Sequence, residues 1–95
     1  MSLLEDPMHP GEVLQELYLA PLGMSALALA RRLGVPRTRI ERLTKGVTRM
    51  TPDTALRLAR AFRTTPMYWM NMQTQYDMVQ ASHETDVSDI DPLVA

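Results

Sequence analysis

Prolines and glycines cut this chain into five segments, and that punctuation constrains the fold more than any other feature. Pro10–Gly11 opens the first with a proline suited to an opening helical turn. Val13, Leu14, Leu17 and Tyr18 then recur at helical spacing, and Pro21 is expected to stop the run. Ser25 is the candidate N-cap of the second segment. That segment carries Leu27, Leu29, Ala30 and Leu33 and ends at Gly34, as a left-handed cap would. Pro36 opens the third, which turns Ile40 and Leu43 inward and closes at Gly46. Thr51–Pro52 and Thr65–Pro66 give the same start signal twice, a capping threonine followed by proline. Ala55, Leu58, Ala59 and Phe62 form the apolar stripe of the fourth segment, and the fifth runs to about Gln80. No stretch alternates with a period of two between hairpin turns. The expected class is all-α with five helices.

A chain of 95 residues supports one small core, since a domain of this size buries only around 60% of its unfolded surface. The absence of cysteine excludes disulfides, thiolate zinc sites and cysteine nucleophiles, and fits a reducing cytoplasm. No apolar run is long enough to span a membrane. No basic region precedes an apolar one at the N-terminus, so no signal peptide is expected. Residues 1–7 are expected to be a flexible segment, with Met8 as an alternative start, and 8–81 the folded domain. Residues 82–95 hold four acids, no base and scattered aliphatics. They read as a tail that is loosely ordered or ordered by a partner.

The net charge of −1 hides a strong asymmetry. All ten basic residues lie between Arg31 and Arg63, where only Glu41 and Asp53 oppose them, so the central block carries +8. Four acids precede it and five follow, giving flanks of −4 and −5. Phosphate binding needs a local basic surface, not a basic total. Taken alone, such a block also describes solvated helix faces.

Residues 26–45 remove that ambiguity. Two helices crossing at a steep angle through a tight turn need a small residue on the first helix, and Ala30 supplies it. The turn needs positive φ, which suits Gly34. Val35 can pack inward after it, and Ile40 and Leu43 can pin the second helix to the first. A plain αα-hairpin would share these features. It would not explain the polar face made by Arg37, Thr38, Glu41, Arg42 and Lys45. In a helix-turn-helix, the N-terminal residues of the second helix reach base edges in the major groove, where arginine reads guanine through paired hydrogen bonds. The candidate DNA-binding residues are Arg37, Thr38, Arg39, Glu41, Arg42, Lys45 and Arg49. Arg37, Thr38 and Arg42 are assigned to bases, Lys45 and Arg49 to phosphate.

The chain resembles the HigA antitoxins, a branch of the lambda-repressor-like, Xre-type helix-turn-helix family, over about residues 8–80. The resemblance rests on His9-Pro10-Gly11-Glu12-Val13-Leu14, Ala20-Pro21-Leu22-Gly23-Met24-Ser25, Leu29-Ala30-Arg31-Arg32-Leu33-Gly34-Val35-Pro36 and Arg39-Ile40. It continues through Thr51-Pro52-Asp53-Thr54-Ala55-Leu56-Arg57-Leu58-Ala59-Arg60 and Pro66-Met67-Tyr68-Trp69-Met70-Asn71-Met72-Gln73. It implies a five-helix homodimer that binds double-stranded operator DNA, represses its own transcription and neutralises a HigB-like, RelE-type RNA-cleaving toxin. The chain departs from the pattern at Ala26, where members often carry a phosphate-holding glutamine. It departs also at Glu41-Arg42 and at Val47-Thr48-Arg49. Alternatives are a phage-type Xre repressor without a toxin, or a protein-interaction module that does not bind DNA.

Other chemistry finds little support. His9 and His83 are far apart and have no ligand cluster, so no metal site is expected, and His9 is better suited to fixing the start of the first helix. No serine sits in a nucleophile elbow, and no nucleophile–base constellation is present. Neither an enzyme, a cofactor nor a small-molecule ligand is therefore expected. The fifth helix is apolar around much of its girth, which suggests burial on two sides. Met67, Trp69 and Met70 are the candidate dimer contacts. A basic toxin would meet an acidic surface. Glu12 and Glu16, with Glu5 and Asp6 nearby, are favoured over Glu84, Asp86, Asp89 and Asp91, because a folded helix needs less ordering than a tail.

Overall fold

The computed structural model describes residues 6–95 and contains five helices, with no strand among the described residues. They are α1 (Pro10–Leu22), α2 (Ala26–Leu33), α3 (Arg37–Thr44), α4 (Pro52–Phe62) and α5 (Pro66–Glu84). Four of the five starts are capped by side chains. Ser25 Oγ accepts from Ala28 N at 3.1 Å, and Thr65 Oγ1 from Tyr68 N at 3.1 Å. Thr51 Oγ1 accepts from Thr54 N at 3.4 Å, and His9 Nδ1 from Gly11 N at 2.9 Å. Each bond satisfies a donor that the first helical turn leaves orphaned.

Helix α1 differs from the expected pattern. Its middle, Leu14–Leu19, is a π-helix, and Ala20 N–H reaches back five residues to Gln15 O. The wider turn shifts the phase of the inward face. Leu14 is followed into the core by Leu19, five residues on, while Leu17 is turned out and is 62% exposed. Pro21 does not end the helix. It lacks the N–H that an α-helix would direct at Leu17 O, and the wide turn upstream accommodates its ring. The chain leaves the helix only at Gly23.

Helix α1 meets α2 at 99° and packs on α3 and α5, while α2 packs on α3 and α4, and α4 on α5. Leu14, Leu19, Leu29, Ile40, Leu43, Met50, Leu58 and Trp69 fill the shared core. Leu27, placed inward by the sequence pattern, lies at the surface instead. Trp69 is the centre of an aromatic cluster with Tyr18, Phe62 and Tyr68, and its Nε1 donates to Thr64 Oγ1 at 2.8 Å. Helix α5 continues past Gln80 to Glu84, since no proline or glycine interrupts it, so residues 82–84 are helical. Residues 85–95 carry no helix and are exposed. Met1–Glu5, including most of the expected flexible segment and Glu5 of the acidic surface, fall outside the described residues.

Candidate nucleic-acid interface

The geometry between α2 and α3 follows from a few residues. Gly34 takes φ 71°, and the amide of Val35 returns to Ala30 O at 3.0 Å, closing α2 with a left-handed cap. Ala30 is buried at the crossing, Val35 is half-buried against the core, and Pro36 sends the chain into α3 in extended conformation. Ile40 and Leu43 are buried beneath α3. All five residues assigned to the turn therefore occupy the places that the spacing requires.

The opposite face of α3 is open. Arg37, Thr38, Arg39, Arg42 and Lys45 are exposed, and Glu41 is half-buried. Thr38, Arg39, Arg42 and Arg49 line one depression between α3, the following loop and the start of α4. Thr38, Glu41, Arg42 and Lys45 line a second, shallower one. Six of the seven candidate DNA residues line these depressions, supplied by α3 and the loop after it, while Arg37 at the start of α3 lines neither.

Ion pairs divide these cations into two groups. Arg37 Nε lies 3.1 Å from Glu41 Oε1, one helical turn away. Arg39 Nη1 is 2.5 Å from Asp53 Oδ2, and Arg49 Nη1 is 2.5 Å from Asp77 Oδ2. Arg42 and Lys45 have no ion-pair partner among the described residues. Asp53 also receives Arg57 Nε at 3.0 Å, and Arg57 Nη1 donates to Leu33 O at 2.7 Å. The hydrogen bonds from Arg57 and Arg39 hold the Asp53 carboxyl below its ordinary range.

The loop carrying Arg49 is held from behind. Gln73, buried on α5, accepts from Met50 N through Oε1 at 2.7 Å and donates to Asp77 Oδ1 at 2.9 Å. Burial opposes ionisation of Asp77, but the bonds from Arg49 and Gln73 outweigh it and keep its carboxyl low. His9 is buried beside this loop, next to Gly46, with its ring edge-on to Tyr76 at 5.1 Å. Burial pushes its imidazole below the ordinary value, against the opposing pull of Glu12. Its capping role at α1 is as expected; its support of the Arg49 loop is additional.

Several of these residues carried no recognised role in the sequence. Asp53 counted only as an acid in a basic block, though its i,i+4 spacing to Arg57 was a usable signal. Gln73 and Gly11 gave no signal of their own. An ideal Cβ at Gly11 would stand 1.6 Å from Leu43 O, so α1 crosses the recognition helix backbone to backbone. Ala26 is half-buried against the core and offers no polar group to a phosphate.

One assignment is corrected. Trp69 is 0% exposed and is buried by the chain itself, so its side chain has no surface left for a dimer contact. Met67 is 59% exposed, while Met70 is half-buried and packs in part against the core. Glu12 and Glu16 are both exposed on α1. No group of three or more potential metal ligands occurs among the described residues.

Comparison with known proteins agrees with this geometry. The helix-turn-helix family model HTH_3 matches residues 14–69. Virulence-associated protein I of Dichelobacter nodosus is 47% identical over 77 residues, covering 81% of this chain and 71% of that protein. Antitoxin HigA-1 of Vibrio cholerae serotype O1 is 36% identical over 72 residues, covering 76% of this chain and 68% of its own length. The solved structure of Pseudomonas aeruginosa antitoxin HigA with the higBA promoter is 33% identical, with a TM-score of 0.85 over 93% of this chain and 99% of that one. This chain belongs to the helix-turn-helix family, in its Xre-like, HigA-type antitoxin branch.

Proposed function

We propose that this chain is an antitoxin that binds operator DNA as a homodimer, represses its own transcription and neutralises a HigB-like, RNA-cleaving toxin. The observation that carries the DNA part is the open face of α3, with Thr38, Arg42 and Lys45 exposed at its surface and Ile40 and Leu43 pinned beneath. A similar fold solved with promoter DNA supports DNA binding by this chain. In this reading Arg37, Thr38 and Arg42 meet base edges, while Lys45 and Arg49 meet phosphate. Glu41 positions Arg37 through their ion pair.

The test is binding to the DNA upstream of the chain's own reading frame, set against a random duplex. Arg42→Ala should cost about 1–3 kcal/mol on the operator and little on the random duplex. Lys45→Ala should weaken both alike and lower the salt slope by about one. Equal losses on both duplexes for Arg42→Ala would remove it from base reading.

Dimerisation is supported by need and by surface. One small helix-turn-helix covers half an operator, and twofold pairing sets two recognition helices about 34–36 Å apart. The exposed Met67 and the half-buried Met70 of α5 are the proposed contact, without Trp69. The toxin is proposed to meet Glu12 and Glu16. RNA-cleaving proteins hold a phosphate backbone and are expected to be basic, and residues 1–30 of this chain contain four acids and no base. Reversing Glu12 and Glu16 to lysine should weaken toxin binding at least tenfold if both pairs matter at about 0.7 kcal/mol each or more. Unchanged affinity, with loss on deleting residues 82–95, would move the site to the tail.

A further inference from the structure

Five cations face outward from α3 and its following loop, yet acids from the chain itself hold three of them. The pair between Arg39 and Asp53 stands apart. Glu41 belongs to the same helix as Arg37, and Asp77 lies outside the depression that Thr38 and Arg42 line. Asp53 is inside that depression, in the first turn of α4, with a side chain 56% exposed. A carboxylate on a surface that receives phosphates repels them, so its presence there calls for a reason.

Its partners supply one. Asp53 Oδ2 is shared between Arg39 and Arg57. Arg57 is in turn fixed at its other end on Leu33 O, the last carbonyl of α2. The carboxylate is therefore anchored to the frame of the helix-turn-helix and cannot follow Arg39 outward. The bond through Nη1 ties the Arg39 guanidinium to that fixed carboxylate. Resting on the operator-binding reading above, we infer that Asp53 sets how many phosphates this interface engages. It keeps Arg39 on the protein and leaves backbone contact to the remaining cations.

The consequence is a damped sequence-independent component of binding. Each phosphate neutralised by a lysine or arginine adds about 0.9 to the slope of log K against log salt. Asp53→Asn keeps the shape of the side chain, removes its charge and leaves Arg57 bonded to Leu33 O. Arg39 is then available to the duplex.

The experiment measures binding of the full chain and its variants to a random 30-base-pair duplex across a salt series. Asp53→Asn should steepen the slope by about one and tighten binding roughly 5- to 10-fold at 0.1 M salt. The control combines Asp53→Asn with Arg39→Ala. In the double variant the gain from Asp53→Asn should disappear. A merely structural role for Asp53 would alter melting temperature without steepening the slope. An unchanged or shallower slope for Asp53→Asn would overturn the inference, as would a gain that survives in the double variant. Asp53→Ser removes the same charge with a smaller side chain and should steepen the slope in the same way if Asp53→Asn folds poorly. Failure of the native protein to bind any duplex would sink the operator reading and this inference with it. Native binding with an unmoved Asp53→Asn slope sinks this inference alone.

Discussion

Gly11→Ala is expected to lower stability by about 3–5 kcal/mol, among the largest effects open to a single methyl group. The added Cβ would lie 1.6 Å from Leu43 O and 2.5 Å from Leu43 C. The obstacle is backbone, so no rotamer change relieves it. Either α1 lifts off α3 or the last turn of α3 deforms. Lifting α1 uncovers Leu14. Deforming α3 moves Arg42 and Lys45 relative to the N-terminal half of the recognition helix. A domain of this length loses about 4–8 °C of melting temperature per kcal/mol, so thermal unfolding followed by circular dichroism should shift down by at least about 12 °C. Operator binding should fall with it at temperatures where the native protein is folded. A shift under about 3 °C would mean that the two backbones do not cross this closely.

That contact was invisible in the sequence for a definite reason. Gly11 follows a proline at a helix start, where a glycine has a local explanation. Its actual role depends on a carbonyl 32 positions away. What the sequence did show was chemistry complete within a few residues. Ser25, Thr51 and Thr65 cap helices because each bond spans three residues. Gly34 ends α2 because only the local φ decides it. Ile40 and Leu43 were legible because a helix with one polar face has one place for its apolar residues. Where the inward period itself changes, this logic fails. The π-turn in α1 moves the core position from Leu17 to Leu19, and no local residue type announces a turn of that width.

The candidate interface divides along the same line. Its exposed residues followed from α3 being a recognition helix, but the pairing among them did not. Arg39–Asp53 and Arg49–Asp77 join residues 14 and 28 positions apart, and only the packed chain brings them together. Helix α5 shows the converse error. Its apolar residues are too many for one buried face, and periodicity could not say which of them faced inward. Tyr18, Phe62 and Tyr68 settle it by enclosing Trp69.

Trp69→Ala should therefore act on the fold, not on assembly. The indole is fully buried, its ring centroid lies 5.1 Å from Tyr18 and 5.0 Å from Tyr68, and its N–H is bonded to Thr64. Truncation removes the largest buried side chain and leaves a cavity in a small core, at a cost of about 3–5 kcal/mol. Against a typical total of about 5–15 kcal/mol, this brings a chain of this size close to unfolding. Trp69→Phe should cost less, since it keeps an aromatic ring in the cluster while giving up the bond to Thr64. Because Trp69 is the sole tryptophan, its fluorescence reports on this site alone. Native emission should be blue-shifted and poorly quenched by acrylamide at every protein concentration, including those where the chain is monomeric. The loss of melting temperature in Trp69→Ala should likewise be independent of concentration, whereas a residue at a subunit contact acts through mass action. If quenching of Trp69 rises as the protein is diluted, the indole is covered by a second copy and the core assignment fails. If it stays low, the proposed subunit contact does not include the indole, and Met67 and the exposed part of Met70 are the residues of α5 to substitute next.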